Sequence, residues 1–261
     1  MTRQLELIDA LIADGRSEFT FKEANTFLAS SSEGTANTLR RLTKAGLVDR
    51  ITRGHYAIRP LGSLGTSSAT DDLSLGVGAA FERREHRIAY LSVLDELGLL
   101  SHPVRTVYVA CTQQVRFSKV SRKPLRVIVE KPETIHLEAE VVKQSWRSSL
   151  ERALFESALR VDLIGSVERL AEVLAAGSRA ADSKRIERLA TAFGARGHAA
   201  ERRLASLATS LNFGLGLNPT VEKRRPIIRL DPRDTRVVWT DERFRVAWST
   251  TIAELQAVIA N

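Results

Sequence analysis

The chain has 261 residues, 43% hydrophobic and 27% charged, with 39 Lys and Arg against 31 Asp and Glu for a net charge of +8. That length fits two domains, the composition excludes wholesale disorder, and no apolar run reaches the roughly 18 residues of a membrane span. The single cysteine, Cys111, excludes an internal disulfide, and Glu6 and Asp9 interrupt what would be the apolar centre of a secretory signal, so a cytoplasmic protein is expected.

Leu5, Ile8, Leu11 and Ile12 recur at helical spacing and predict a first helix, closed by Gly15. Thr20 with Glu23 three positions on is a capping box and predicts a short second helix. Ser30 and Glu33 repeat the device for a third, with neighbouring serines able to cap equally well, and Gly46 stands at its C-cap. "LVDRIT" and "HYAIRP" then read as two strands joined through Arg53-Gly54. Three small helices followed by a β-hairpin is the order of a winged helix-turn-helix, whose third helix enters the DNA major groove while the hairpin lies along the backbone.

With Leu39 at the centre of the buried face of the third helix, Ala36, Leu42 and Thr43 fall beside it; Asn37, Arg41 and Lys44 point away, and Thr38 and Arg40 lie on the flanks. Asn suits a bidentate contact to adenine, Arg one to guanine, and Lys or Thr a phosphate or base edge. The expected DNA-contacting set is Thr35, Asn37, Thr38, Arg40, Arg41 and Lys44 on the helix with Arg53, His55 and Tyr56 on the wing. A basic face alone is also what an ordinary solvated helix shows; the order of helices, caps and hairpin favours the DNA reading.

Residues 60–78 hold four Gly and four Ser without a helical stripe and read as linker, giving a winged domain over 1–60, a linker over 61–79 and a second domain over 80–261. The second domain opens with a helix over 83–100 carrying Ile88, Leu91 and Leu94. Strands are predicted at "VRTVYVAC", at "PLRVIVE" and through Ile135, Leu137, Ala139 and Val141. A Ser148–Glu151 capping box starts "SSLERALFESAL". Further stripes follow at Val167, Leu170 and Leu174, at Ile186, Leu189 and Phe193, and at Leu204, Leu207 and Leu211. "PIIRL", "RVVWT" and "FRVAWS" close the chain as strands before a helix at "TIAELQAVIA". The fold class is α+β: a winged helix-turn-helix followed by a mixed α/β domain with its helices grouped.

The charge is uneven. Residues 1–60 carry nine basic and seven acidic side chains, whereas 101–131 carry seven basic ones and only Glu130. Arg116, Lys119, Arg122, Lys123 and Arg126 follow one another with no acid between them and are expected to make secondary, sequence-independent phosphate contacts. The five histidines, at 55, 86, 102, 136 and 198, show no metal-ligand spacing, so neither metal nor other cofactor is expected. The Gly-Leu-Gly at 214–216 follows a helix, so it lacks the context of a phosphate loop. Glu130, Glu138 and Glu140 sit on or beside strands where a nuclease could place carboxylates, but no Asp stands at a suitable distance upstream; no catalytic residue is assigned. The helices of "RIERLATAFGARGHAAERRLA" could form a second helix-turn-helix, but the length of the Leu204–Leu211 stripe favours a packed helical hairpin.

The hairpin "GHYAIRP", the "YLSVLDELGLL" segment, the strand "RTVYVAC", the basic stretch, "SSLERALFESAL" and the helix pair "RIERLATAFGARGHAAERRLASLATSLNFG" together resemble the AbiEi family of transcriptional regulators, antitoxins of type IV abortive-infection toxin-antitoxin systems. The sequence departs from the family where Ala153 follows Arg152 in place of Thr or Ser, and where Glu156 replaces the usual Asp. The resemblance implies an autorepressor that places its winged helix on double-stranded repeats near its own promoter. It also implies an antitoxin that counteracts a co-encoded nucleotidyltransferase toxin without needing to form a stable complex with it. The alternatives are a module that neutralises a protein partner by contact and, distantly, a defence-associated nuclease or phosphotransfer enzyme.

Overall fold

A computed structural model describes residues 3–59, 73–121 and 123–260. The chain forms two compact units: Met1–Arg84 with Arg116–Leu125 and Val142–Ser145, and Glu85–Val115 with Arg126–Val141 and Trp146–Asn261.

The first unit begins with α1 (Arg3–Ala13), β1 (Glu18–Thr20), α2 (Phe21–Leu28), α3 (Ser32–Lys44), β2 (Val48–Thr52) and β3 (His55–Ile58). The strands lie in the order β1-β3-β2, all antiparallel, with Phe19 opposite Tyr56 and Val48 opposite Ile58. This is the helix and hairpin order expected, with β1 added; three residues are too short a run to show alternation. The core is built from Leu7, Ile8, Leu11, Phe19, Leu28, Leu39, Leu42 and Val48. In α1 the buried face keeps Ile8 and Leu11 of the expected stripe and adds Leu7, while Leu5 and Ile12 are 41% and 47% exposed. Both early capping predictions hold in kind: Thr20 and Glu23 form a reciprocal box, and Ser31, a neighbour of the expected Ser30, caps α3 through Gly34 N–H.

In place of uninterrupted linker, α4 (Leu73–Phe81) follows; residues 61–72 lie outside the described residues. Its Ser74, Gly76, Val77, Gly78, Ala79 and Phe81 are buried, and Ala79 packs with Ile51 and Ala57 on the side of the hairpin away from the helical core.

In the second unit β4 (His86–Ile88) pairs antiparallel with β5 (Val107–Cys111), and α5 (Leu91–Glu96) lies between them in sequence, so of the helix expected over 83–100 only 91–96 is α-helical and 86–88 form a strand. The reason is tertiary: Ile88 pairs with Val109 and with Arg147. The basic run forms a hairpin of β6 (Lys119–Val120) and β7 (Lys123–Val129), whose portion up to Leu125 groups with the first unit. Next come α6 (Pro132–Ile135), β8 (Ala139–Val142) and β9 (Ser145–Ser148). Pro132 at the first turn makes 132–135 helical, so the strand expected from Ile135 starts only at Ala139. The sheet order is β6-β7-β5-β4-β9-β8.

The helices are grouped: α7 (Leu150–Leu159), α8 (Val161–Ile164), α9 (Val167–Gly177), α10 (Ser183–Ala192) and α11 (Gly194–Ser210) bury Leu154, Phe155, Leu170, Leu174, Leu189, Leu204 and Leu207. A small sheet, β10 (Ile228–Arg229), β12 (Val246–Trp248) and β11 (Trp239–Asp241) in that order, precedes α12 (Ile252–Ile259). Trp239 packs on Trp248 with ring centroids 4.7 Å apart. No described helix is long and apolar enough to cross a membrane.

Candidate nucleic-acid interface

The α2–α3 corner is fixed by side chains. Ala29 ends α2 in the left-handed conformation, and Thr35 Oγ1 sits 2.8 Å from both Asn25 Oδ1 and Ser30 Oγ. Thr35 is fully buried by this, which removes it from the expected DNA-contacting set. At the other end of α3, Gly46 (φ 71°) donates its N–H to Thr43 O and Leu47 N–H bonds back to Leu42 O, a Schellman closure that turns the chain into β2. The base of the hairpin is pinned by Arg59, whose Nε and Nη2 each lie 2.8 Å from Asp49; that carboxylate raises the guanidinium pKa and neutralises Arg59.

Between α3 and the hairpin lies an open groove of about 920 Å³, lined by Phe21, Ala36, Leu39, Arg40, Thr43, Lys44, Arg50, Arg53, Gly54 and Tyr56. Every charged side chain of this lining is basic. Asn37 Oδ1 accepts a 2.7 Å hydrogen bond from Arg40 Nη1, one turn further along the helix, which favours one orientation of the guanidinium. The groove side of α3 is therefore centred on Arg40, one of the two flanks of the expected face. Arg41 is exposed but turned away from the lining, and Thr38, on the opposite flank, is half-buried.

On the hairpin, Arg53 is exposed at the turn, with Gly54 at φ 87° supplying the left-handed residue. His55 is half-buried, its Nε2 4.0 Å from a Glu82 carboxylate oxygen. Tyr56 is largely buried, its ring stacked on Phe19 at 5.5 Å, and it lines the floor of the groove. Sequence reasoning missed Arg50. The signal was the alternation of "VDRIT", which puts Arg50 on the same side as Val48, toward α3.

Of the basic run, Arg116, Lys119 and Lys123 are exposed and Arg122 lies outside the described residues. Arg126 groups with the second unit, its guanidinium carbon 6.0 Å from the centroid of Tyr108.

The glutamates weighed for catalysis are engaged by arginines. Arg87, Arg152, Glu130 and Glu156 form a buried cluster in which Arg152 bonds Glu156 at 2.8 Å and Glu130 at 2.9 Å, and Arg87 reaches Glu156 at 2.5 Å and Glu130 at 3.1 Å. Burial works against the Glu156 charge, but Arg87 and Arg152 hold its carboxyl below the usual range. Ser148 Oγ accepts from Arg87 Nε at 3.0 Å, and the neighbouring Ser149 takes over the cap of α7 expected at Ser148. Glu138 is paired with Arg185 and Arg188. Among the described residues no three His, Cys, Asp or Glu side chains are placed to hold a metal ion.

Residues 6–59, which include this groove, match the family model described as "Transcriptional regulator, AbiEi antitoxin". Over these residues the chain is similar to the AbiEi antitoxin transcriptional regulators. No curated protein matches the chain. Among solved structures, the RV2827C protein from Mycobacterium tuberculosis aligns with a TM-score of 0.70 and 18% identity, covering 100% of this chain and 96% of that one; at that identity the likeness is one of fold. The AbiEi-like domain is thus set in a mixed α+β chain whose architecture has a crystallographic counterpart over its whole length.

Proposed function

We propose that the protein is a sequence-specific repressor that binds duplex DNA through the α3–hairpin groove, autoregulates its own operon and acts as the antitoxin against a co-encoded nucleotidyltransferase. The observation that carries the reading is the wholly basic charge of the groove in a domain similar to a transcriptional-regulator family. Arg40, oriented by Asn37, is the reading residue: a guanidinium with one favoured orientation suits the two acceptors of a guanine edge. Lys44, Arg50 and Arg53 hold phosphates on either side, setting register without reading sequence. The second unit acts as the antitoxin portion, with no turnover of its own.

Titration of the full chain against duplex DNA from upstream of its gene, beside a scrambled duplex of equal length, tests the DNA reading. Preference for the native duplex, and repression of a reporter placed behind it, are expected; equal affinity for the two would overturn it. The antitoxin reading is tested by co-expression with the product of the adjacent reading frame, where loss of viability unrelieved by this chain counts against it.

A further inference from the structure

The basic run is not part of a remote domain but is folded onto the DNA-binding unit. Its β6–β7 hairpin buries Val120, Phe117 meets Phe81 of α4 edge-on at 5.2 Å, and its turn residue Ser121 is buried against α4. Gly76 is the meeting point: a Cβ there would collide with Ser121 Oγ and stand 3.6 Å from Ile51 Cγ2 of β2. The hairpin turn and the wing strand thus lie on one small patch of α4, and a helix without side chains at that patch lets them approach.

This changes the charge of the DNA-binding unit. Residues 1–60 alone hold a net +2, whereas the three segments of the unit hold sixteen Lys and Arg against ten Asp and Glu, a net of +6. Arg116, Lys119 and Lys123 are exposed, and none forms an ion pair with a described residue. Cations unpaired among the described residues, in the same compact unit as a basic groove, raise its potential and attract a polyanion.

We propose that the 116–125 hairpin is a second, sequence-independent contact to the DNA backbone, gripping phosphates on the side of the operator covered by the wing. The proposal rests on the groove reading above. The occupant is flanking duplex because the same unit already presents its groove to duplex, and backbone phosphates continue past any operator edge.

The test uses the full chain and the triple variant Arg116→Glu, Lys119→Glu, Lys123→Glu, with Arg116→Gln, Lys119→Gln, Lys123→Gln as a milder form should charge reversal impair folding. Each is titrated at several salt concentrations against the upstream duplex and an unrelated one. Each phosphate contact contributes about 0.9 to the slope of log K against log salt, so the slope should flatten by about two to three units. Affinity for both duplexes should fall by similar factors, their ratio should survive, and hydroxyl-radical protection should shrink on one flank only. An unchanged slope overturns the proposal and assigns the hairpin to a protein partner, while leaving the groove reading intact. Failure of the parent chain to prefer its upstream DNA sinks the groove reading, and this proposal with it.

Discussion

Replacing Arg40 by Ala separates the groove geometry from the simpler idea of a basic helix. Arg40 lines the groove and is held by Asn37 at 2.7 Å, whereas Arg41, adjacent in sequence and equally exposed, does not line it. A bidentate base contact discriminates by about 1 to 3 kcal/mol, so Arg40→Ala should reduce the preference for native over scrambled duplex about 5- to 150-fold. Asn37→Ala frees the arginine to other rotamers; re-ordering such a side chain on binding costs about 0.5 to 1.5 kcal/mol, so a loss of about 2- to 12-fold is expected. The two effects are coupled: in an Arg40→Ala background, Asn37→Ala should add none of that share. Arg41→Ala should leave the preference ratio unchanged. The assay is fluorescence anisotropy with both duplexes at one fixed salt concentration. Loss of selectivity on replacing Arg41 but not Arg40 would show that α3 enters the DNA by a different face, and full additivity of Asn37 and Arg40 would remove the orienting role.

Other outcomes follow from the packing and the charges. Leu39→Ala, at a position only 1% exposed, should cost about 2 to 5 kcal/mol in urea unfolding of the first unit, and a loss below 1 would mean the site collapses around the gap. Arg152→Met leaves two buried carboxylates facing Arg87 alone and should cost about 3 to 5 kcal/mol, whereas near-neutrality would mean that Glu130 takes up a proton at little cost. Hydrogen bonds from Thr250 Oγ1 and then the Thr251 backbone hold Glu254 down at about 2. Because the folded value is depressed, its stabilisation is present above the ordinary carboxylate pKa and is lost as pH falls from about 4.5 toward 2; Glu254→Gln should remove that share of the acid sensitivity. Incubated with magnesium or manganese, the protein should leave DNA, RNA and nucleotides intact; turnover abolished by Glu130→Gln or Glu138→Gln would contradict the engaged state of those carboxylates.

Local chemistry was legible where it is self-contained. Thr20 with Glu23 announces a capping box because both partners lie within one turn, and the stripe of α9 reads directly because one face is wholly buried. What the sequence left open depends on neighbours distant along the chain. Leu39 fixes the inner face of α3, but the two flanks are equivalent until the hairpin covers one of them. Thr35 looks like a contact residue by type; only the Asn25 amide, brought up by another element, shows it to be inward. Glycine and serine in 73–78 read as linker by composition. In the structure the same glycines are what α4 requires, since a Cβ at Gly78 would meet Gln144 O at 2.6 Å.

The DNA-binding unit is assembled from three stretches ending at Ser145, and this sets a timetable for synthesis. The core drawn from residues 7–58 can close as soon as it leaves the ribosome, but the glycine face of α4 stays uncovered until Ser121 and then Gln144 have been made. At about 5 to 20 residues per second, the interval between Arg84 and Ser145 is about 3 to 12 s. A message cut short before codon 116 therefore yields a fragment whose first unit lacks the positive charge of the 116–125 hairpin, even though its groove residues are all present.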